Sequence, residues 1–341
     1  MFTKAAAAGK CDELDPSILD GVKADLKKLE VIASISAEDI YKAEEDSDIA
    51  DVLKTMPKWN PNGRAMLPLT DDWAEHIEDL KAFHRTNGYG MFAKFVAFTW
   101  RNEEFVPITA IDSIRLTHLK NYEVQRGKVV DNTVAFISDL PANNVLLYGD
   151  RGTGKSSTVH AILNEYKNKG LRMIEISKGD INDLTMIREK ISDSPMKFII
   201  FIDDLSFDNH DDSFGELKAA LEGSLSGRQN NTLIYATSNR RHLIKENFSD
   251  RENDVNRSDT LQEELSLSDR FGLSITFINP DKKDFEDIVQ KIATDRGLKS
   301  DMEKILFTAE QWARRRGGRS PRCARQFIDY VESCEKRNIE W

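Results

Sequence analysis

The residues best suited to chemistry lie in one run, GDRGTGKSS, which extends from Gly149 to Ser157. Its three glycines permit a backbone curl so tight that successive N–H groups point at one anion. Lys155 can place a positive charge on the outer phosphates of a nucleotide, and the Ser156 hydroxyl can bind Mg²⁺. The spacing is that of the Walker A phosphate loop, which predicts binding of ATP or ADP with Mg²⁺. The residues assigned to nucleotide binding are Gly149, Asp150, Arg151, Gly152, Thr153, Gly154, Lys155, Ser156 and Ser157.

The segments on either side of this loop have to hold it in place. Val145 to Tyr148 has strand character, and after the loop Val159, Ile162 and Leu163 fall on one helical face. A strand, loop and helix in this order point the positive end of the helix dipole at the anion. A chance glycine-rich turn is the alternative, but it accounts neither for the Lys-Ser pair nor for both flanks.

A pair of carboxylates follows a continuous apolar run. Residues 197–202 read KFIIFI, the pattern of a strand buried on both faces of a parallel sheet, and Asp203 and Asp204 come next. We expect Asp203, with Ser156, to hold Mg²⁺, and Asp204 to polarise the water that attacks the γ-phosphate. A solvated strand end is the default for a lone Asp-Asp pair. Its place roughly fifty residues after a phosphate loop predicts the Walker B pair instead.

Asn239 and Arg270 are further candidates for catalysis. Asn239 follows a predicted strand at 232–237 and is expected to enter the cleft beside the carboxylates, although Asn is also an ordinary turn residue. Arg270 comes just before a predicted strand at 273–277. An arginine there can neutralise charge that develops on a transferred phosphoryl group, and a surface salt bridge is its alternative role.

Arg322 completes the catalytic set. Ser320 as N-cap and Pro321 at the first helical position place Arg322 in the opening turn of a helix. A cation there opposes the helix dipole unless an anion is bound close by, and a nucleotide would supply that anion. The predicted catalytic residues are Lys155, Asp204, Asn239, Arg270 and Arg322.

Composition narrows the class of protein. The chain has 341 residues, a net charge of -10 and three cysteines. The acidic balance argues against a surface that binds nucleic acid everywhere, and three scattered cysteines suit neither a disulfide framework nor a zinc site. No secretory signal and no apolar run of about eighteen residues is present, so we expect a cytoplasmic protein with no membrane span.

Strands alternate with helices through the middle of the chain, which predicts an α/β P-loop NTPase fold with a doubly wound parallel sheet. Further strands are predicted at 171–176, 197–202, 232–237 and 273–277, and a mobile loop at 246–260. The predicted domains are a mainly helical N-terminal region at 1–107, the nucleotide-binding domain at 108–280 and a C-terminal helical lid at 281–341.

For three further segments the sequence allows two interpretations each. Acidic residues at 38–51 predict a solvated helical face or, alternatively, an acidic surface that binds a partner. The apolar patch from Met91 to Trp100 predicts core packing or, alternatively, a docking surface for a partner or another subunit. Six arginines between residues 314 and 325 predict solvated lid residues or, alternatively, a contact with nucleic acid.

With these pieces in order, the chain resembles the AAA+ ATPases from about Ile108 to Tyr330. The strings PANNVLLYGDRGTGKSS, FIDDLSFD, LIYATSNRRHL, LSLSDRFGL and RSPRCARQFIDY are similar to those of the bacterial AAA+ family known as domain of unknown function number eight-fifteen. The resemblance implies that Leu119 and Tyr122 lie near the adenine and that Asn239 and Arg322 are the two sensor residues. It also implies that Arg270 reaches into the site of an adjoining subunit.

The chain departs from the AAA+ pattern at one position. Most AAA+ proteins have Glu after the Walker B aspartate, whereas this chain has Asp204, which is shorter by one methylene. ATP binding is therefore more firmly predicted than rapid hydrolysis.

Three functions are consistent with these residues. The first is a Mg²⁺-dependent ATPase that forms a homo-oligomeric ring or arc and remodels a macromolecule, either protein or DNA. The second is a switch in which nucleotide gates partner binding with little turnover. The third is a kinase that phosphorylates a small acceptor, which the combination of Asn239, Arg270 and Arg322 disfavours.

Overall fold

A computed structural model describes residues 1–35, 72–207, 213–222, 231–239 and 269–341. The chain divides into two compact units, Met1–Lys94 and Phe95–Trp341. The predicted acidic surface at 38–51 and the predicted loop at 246–260 lie outside the described residues.

The first unit is helical in its described part. Four α-helices are present there: α1 Phe2–Ala7, α2 Pro16–Ser34, α3 Ile77–Asn87 and α4 Met91–Lys94. A small core joins α1, α2 and α3 and includes Phe2, Leu26 and Ile77. Asp15 caps α2 by accepting a 2.9 Å hydrogen bond from the Ser17 N–H.

The second unit is built on a mixed sheet. In its described residues the seven strands are β1 Ala97–Arg101, β2 Glu104–Pro107, β3 Val145–Gly149, β4 Leu171–Ile176, β5 Lys197–Ile202, β6 Thr232–Ser238 and β7 Leu273–Phe277. Their spatial order is β2-β1-β4-β5-β6-β3-β7, and every pairing is parallel except that of β1 with β2. The phosphate loop follows β3, between the carboxyl ends of β6 and β7, where ligands of such sheets bind.

The predicted boundary at residue 107 is wrong, because β1 and β2 belong to the sheet and the two units meet between Lys94 and Phe95. Phe98 and Trp100 of β1 are buried, so this part of the apolar patch packs in the core, as its first interpretation predicted. The patch also includes α4, and it therefore crosses the boundary between the units.

Helices cover both faces of the sheet. They are α5 Glu123–Ile137, α6 Lys155–Tyr166, α7 Leu184–Ile191 and α8 Ser213–Glu222. Ile199 and Phe201 of β5 share a core cluster with Val129 of α5 and Ile162 of α6. Ile200, which points to the opposite face by strand alternation, is also fully buried. This double burial explains why β5 is apolar at consecutive positions.

Three helices follow the sheet and share a core of their own. They are α9 Lys282–Asp295, α10 Met302–Arg315 and α11 Pro321–Arg337. Their common cluster includes Phe285, Ile288, Ala309 and Phe327. The mostly parallel sheet, these lid helices and the helical N-terminal unit confirm the predicted fold class.

Within the described ranges, no helix has both the length and the apolar character that crossing a bilayer requires. Cys11, Cys323 and Cys334 are all buried free thiols.

Candidate nucleotide-binding site

A cavity of about 510 Å³ lies at the carboxyl ends of the central strands. Most of the predicted site residues line it: Leu119, Tyr122, Arg151, Gly152, Thr153, Gly154, Lys155, Ser156, Ser157, Asp203, Asp204, Asn239 and Arg322. These residues come from segments far apart in sequence, and the sheet brings them together because its parallel strands end at one edge. A volume of this size fits a small-molecule or cofactor ligand.

Gly149 and Gly152 shape the loop at the floor of this cavity. Gly149 has φ +127°, and a Cβ there would lie 2.1 Å from the Phe277 carbonyl oxygen at the end of β7. Gly152 has φ +76°, and a Cβ there would lie 3.0 Å from Ser320 Oγ and 3.2 Å from Arg322 Cβ. Close approach to backbone therefore requires glycine at 149, and at both positions φ is one that L side chains rarely adopt.

The first prediction concerns Gly149. We expect Gly149→Ala to lower the free energy of unfolding by about 3 kcal/mol or more, because an alanine needs both a strained φ and a shift of β7. Urea denaturation followed by circular dichroism measures this change.

Gly127 of α5 provides the matched control. A Cβ there would meet no heavy atom within 4 Å, so we expect Gly127→Ala to raise the free energy of unfolding by about 0.5–1 kcal/mol. Equal stability of the two variants would contradict the close approach of Gly149 to β7.

Lys155 is a buried cation in the cavity wall. Its residue is 6% exposed, and Nζ donates hydrogen bonds to the carbonyls of Gly149 (2.9 Å) and Asp150 (2.7 Å) and to Asn239 Oδ1 (3.2 Å). Burial lowers the pKa of the Lys155 ammonium, and the nearby carboxylates oppose that shift. A phosphate group would provide the strong anionic acceptor that these neutral oxygens replace only in part.

Asp203 and Ser156 form the group suited to Mg²⁺. Ser156 Oγ donates a 2.6 Å hydrogen bond to Asp203 Oδ1, and Thr237 Oγ1 donates to the same oxygen. Hydroxyl and carboxylate oxygens are the ligands that Mg²⁺ prefers, with phosphate oxygens and water completing its octahedron. The residues present therefore fit a Mg²⁺ ion bound together with a nucleotide.

Asp204 is held in an unusual backbone conformation next to Asp203. Its φ is +52°, and its N–H donates a 2.9 Å hydrogen bond to Thr237 Oγ1. The Asn239 amide donates to Asp204 Oδ1. A left-handed conformation costs free energy in a non-glycine residue, and such strain is concentrated at functional sites. Thr237, which contacts both aspartates and is 2% exposed, was not predicted as a site residue.

The N-terminus of α11 contacts the phosphate loop directly. Ser320 caps the helix by accepting a 3.2 Å hydrogen bond from the Cys323 N–H, as predicted, and the Arg322 N–H donates a 3.1 Å bond to the Gly152 carbonyl. Arg322 and the unpredicted Arg325 both line the cavity. The lid therefore contributes two cations to the cavity wall, and Arg322 lies next to the phosphate loop.

Several apolar side chains also line the cavity. Leu119 and Tyr122 do so with Phe277 of β7 and with Ile288 and Ile292 of α9. The Tyr122 hydroxyl donates a 2.7 Å hydrogen bond to the Ile278 carbonyl, and its ring centroid lies 5.2 Å from that of Phe277. Aromatic and branched side chains in a cavity wall suit a flat ligand such as a base.

Gly149, Asp150 and Arg270 are the predicted site residues that do not line this cavity. Gly149 and Asp150 instead connect the loop to the end of β7. Gly149 lies against the Phe277 carbonyl, which accepts a hydrogen bond from the Asp150 N–H, and Asp150 Oδ2 accepts one from the Asn279 N–H. Arg270 is half-buried and precedes the amino end of β7, whereas the cavity is at the carboxyl end of that strand.

The arginine-rich segment of the lid is partly neutralised. Glu310 accepts hydrogen bonds from Arg314 (3.1 Å) and from Arg319 (2.7 Å). The Arg316 guanidinium lies 4.3 Å from the centroid of the Trp312 ring. Several of the six arginines thus already have partners within the lid.

Comparison with known proteins gave matches of two kinds. The family described as protein of unknown function DUF815 matches residues 93–335. Thermotoga maritima RuvB, described as a Holliday junction branch migration motor, is 18% identical over 66% of this chain and 67% of its own, with a TM-score of 0.45. Two mutants of that protein have 16% and 18% identity and TM-scores of 0.45 and 0.46.

The present chain spans 66% of the length of the first of those mutants, slightly less than two thirds. No curated protein matches it. The family match covers the whole sheet and all of the lid core except Trp341, and it begins close to the boundary between the two units. This chain therefore belongs to the DUF815 family, and it has an α/β P-loop NTPase fold.

Proposed function

We propose that this protein is a Mg²⁺-dependent ATPase that hydrolyses ATP in the cavity described above. One observation carries the proposal: hydrogen bonds connect Lys155 to Asn239 and Asn239 to Asp204, and Ser156 contacts Asp203 beside them. These are the groups that phosphoryl transfer to water requires, and they line the same cavity as the apolar side chains of Leu119, Phe277 and Ile288.

Each group has a distinct part in the proposed reaction. Lys155 and the loop N–H groups bind the β- and γ-phosphates and stabilise the charge that develops on them. Ser156 and Asp203 hold Mg²⁺, which acts as a Lewis acid when bound. Asp204 accepts the proton of the attacking water while the bond from the γ-phosphorus to the β-phosphate oxygen breaks, releasing ADP and phosphate. Asn239 orients the Asp204 carboxylate.

The site also supports action between subunits. We propose that Arg270 contributes to the cavity of an adjoining copy, because within its own chain it lies before β7 and does not line the cavity. This requires a homo-oligomer, either a ring or an arc. We propose that such an assembly acts on either protein or DNA. Arg314 and Arg319 donate hydrogen bonds to Glu310, and these contacts favour protein over DNA because they partly neutralise the arginines. We also propose a cytoplasmic location.

Lys155→Met tests the proposal. We expect the affinity for ADP to fall at least about tenfold and ATP hydrolysis to be lost, because a charge-assisted contact with phosphate is removed while the aliphatic stem is kept. Isothermal titration calorimetry measures binding, and phosphate release measures turnover.

The matched control is Lys128→Met, at an exposed position of α5 outside the cavity. It should bind and hydrolyse like the wild type. A Lys155→Met protein that is folded by circular dichroism and binds ADP with wild-type affinity would contradict the proposed site.

A second candidate function is a nucleotide-gated switch with little turnover. The contact between the Arg322 N–H and the Gly152 carbonyl favours it, because a ligand that enters the loop must act directly on the position of the lid. Asp204, at the position where most AAA+ proteins have Glu, also favours it. Tight ATP binding with no phosphate release would support this function over the first.

A further inference from the structure

Arg126 is a buried cation in the cavity that the proposed reaction does not use. It is 9% exposed and lies in the first turn of α5, where its N–H donates a 2.9 Å bond to the Tyr122 carbonyl. Its side chain lines the cavity. Among the described residues, nothing accepts a hydrogen bond from its Nη1.

Burial of the Arg126 guanidinium in these surroundings costs free energy when no ligand is bound. A cation in the first turn opposes the helix dipole, and a buried donor without an acceptor loses the hydrogen bonds that it makes in water. Glu123 offsets little of this cost, because its carboxylate is 67% exposed and lies 3.4 Å from Arg126 Nη2. Burial accordingly lowers the pKa of the Arg126 guanidinium. An acceptor on a bound ligand would satisfy Nη1.

The position of Arg126 indicates which part of the ligand that acceptor belongs to. The charged groups around Lys155 are Asp150, Asp203, Asp204 and Arg322, at the phosphate end. Those around Arg126 are instead Glu123 and, on α9, Lys291. Arg126 therefore lies one helical turn from Tyr122 and near α9, the helix that contributes Ile288 and Ile292 to the cavity wall.

We propose that Arg126 Nη1 donates a hydrogen bond to a ring nitrogen of the purine base of the bound nucleotide. This inference rests on the proposed function, since it assumes that a nucleotide occupies the cavity. The slot around Leu119, Tyr122, Phe277 and Ile288 accepts the faces of the base, and a planar guanidinium matches ring-nitrogen acceptors along the edge. Exclusion of water by the apolar walls strengthens that bond. Arg126 is therefore a specificity residue for the base.

Calorimetric titration of the full chain with ADP and with inorganic tripolyphosphate tests the proposal. We expect Arg126→Met to bind ADP about 10- to 100-fold more weakly than the wild type, the range for a hydrogen bond to a charged group. Its affinity for tripolyphosphate should stay within about twofold of wild type, because the lost contact is to the base. Lys128→Met, at the exposed position on the same helix, should match the wild type with both ligands.

Base analogues identify the contact itself. Among 1-deaza-, 3-deaza- and 7-deaza-ADP, we expect one to bind the wild type more weakly than ADP does, by the same factor that Arg126→Met loses. Arg126→Met should not distinguish that analogue from ADP, because the coupled pair is already broken. The assignment to the base is overturned if 2′-deoxy-ADP behaves this way instead, that is, if it binds the wild type more weakly than ADP does and Arg126→Met does not distinguish the two.

The melting temperature of the protein without nucleotide distinguishes a role of Arg126 in binding the base from a role in stabilising the fold. Arg126→Met removes a buried charge whose Nη1 has no acceptor, so its melting temperature without nucleotide should equal or exceed that of the wild type, and the rise caused by ADP should be smaller. A lower melting temperature with unchanged ADP affinity would overturn the inference, as would an equal loss of tripolyphosphate binding. If the wild type bound neither ADP nor tripolyphosphate, the proposed function would be contradicted, and the inference about Arg126, which depends on it, would be contradicted as well.

Discussion

Asp204→Asn should lower the rate constant for ATP hydrolysis by a factor on the order of 10² to 10⁴, while the affinity for ATP stays within about threefold. The amide has nearly the size of the carboxylate and keeps an oxygen that can accept from Asn239. It has no basic oxygen to take a proton from water. Single-turnover hydrolysis with excess enzyme measures the chemical step separately from product release.

Two further variants make this test specific. Asp131→Asn, at an exposed position on α5, should hydrolyse ATP like the wild type. Asp204→Glu restores the residue that most AAA+ proteins have, and we expect its rate to equal or exceed that of the wild type. If Asp204→Asn kept the wild-type rate, Asp204 would not be the group that activates water.

The second large effect is expected from Arg270→Ala. Loss of an arginine that neutralises transition-state charge should lower turnover by roughly a thousandfold, with nucleotide affinity unchanged. In the wild type, the rate per subunit should rise with protein concentration as neighbours supply Arg270. Arg101→Ala, at an exposed position outside the cavity, should behave like the wild type.

Mixing two inactive variants shows whether Arg270 acts between subunits. Lys155→Met cannot use its own cavity but still presents Arg270, and Arg270→Ala has an intact cavity without the arginine. We expect the mixture to hydrolyse ATP faster than either variant alone. A mixture with no recovered activity, formed under conditions where the proteins associate, would contradict a shared site.

The phosphate loop and the Asp203-Asp204 pair could be predicted from sequence because local rules determine them. Glycines at fixed spacing have few backbone solutions next to a strand and a helix, and an apolar run that ends in carboxylates identifies a strand end. The predicted strands at 171–176, 197–202 and 273–277 agree with the structure to the residue.

The hairpin of β1 and β2 was missed for an equally physical reason. Its two-residue turn has Asn102 at φ +50° and Glu103 at φ +60°. Asn-Gly is the usual sequence pattern for such a turn. With glutamate at the second position, the sequence lacks the pattern by which the turn could be predicted. The pairing of β1 with β4 joins residues far apart in sequence, which no local pattern reports. The domain boundary was therefore placed after this hairpin and not before it.

Thr237 and Arg126 were missed because their roles come from tertiary contacts. Thr237 lies two residues before Asn239, but only the packing of β6 against β5 brings its hydroxyl to Asp203. Arg126 lies on a helix whose sequence is polar at many positions, and nothing local distinguishes it from the exposed Lys128. Its burial and its unpartnered Nη1 are properties of the fold alone.

The most direct test of the central claim is phosphate release by the wild-type protein in ATP, with and without Mg²⁺, across a wide range of protein concentration. We expect phosphate release that requires Mg²⁺, saturates with ATP and increases per subunit as protein concentration rises. No release at any concentration, with ATP bound as judged by calorimetry, would contradict the ATPase and leave the nucleotide-gated switch as the function of this cavity.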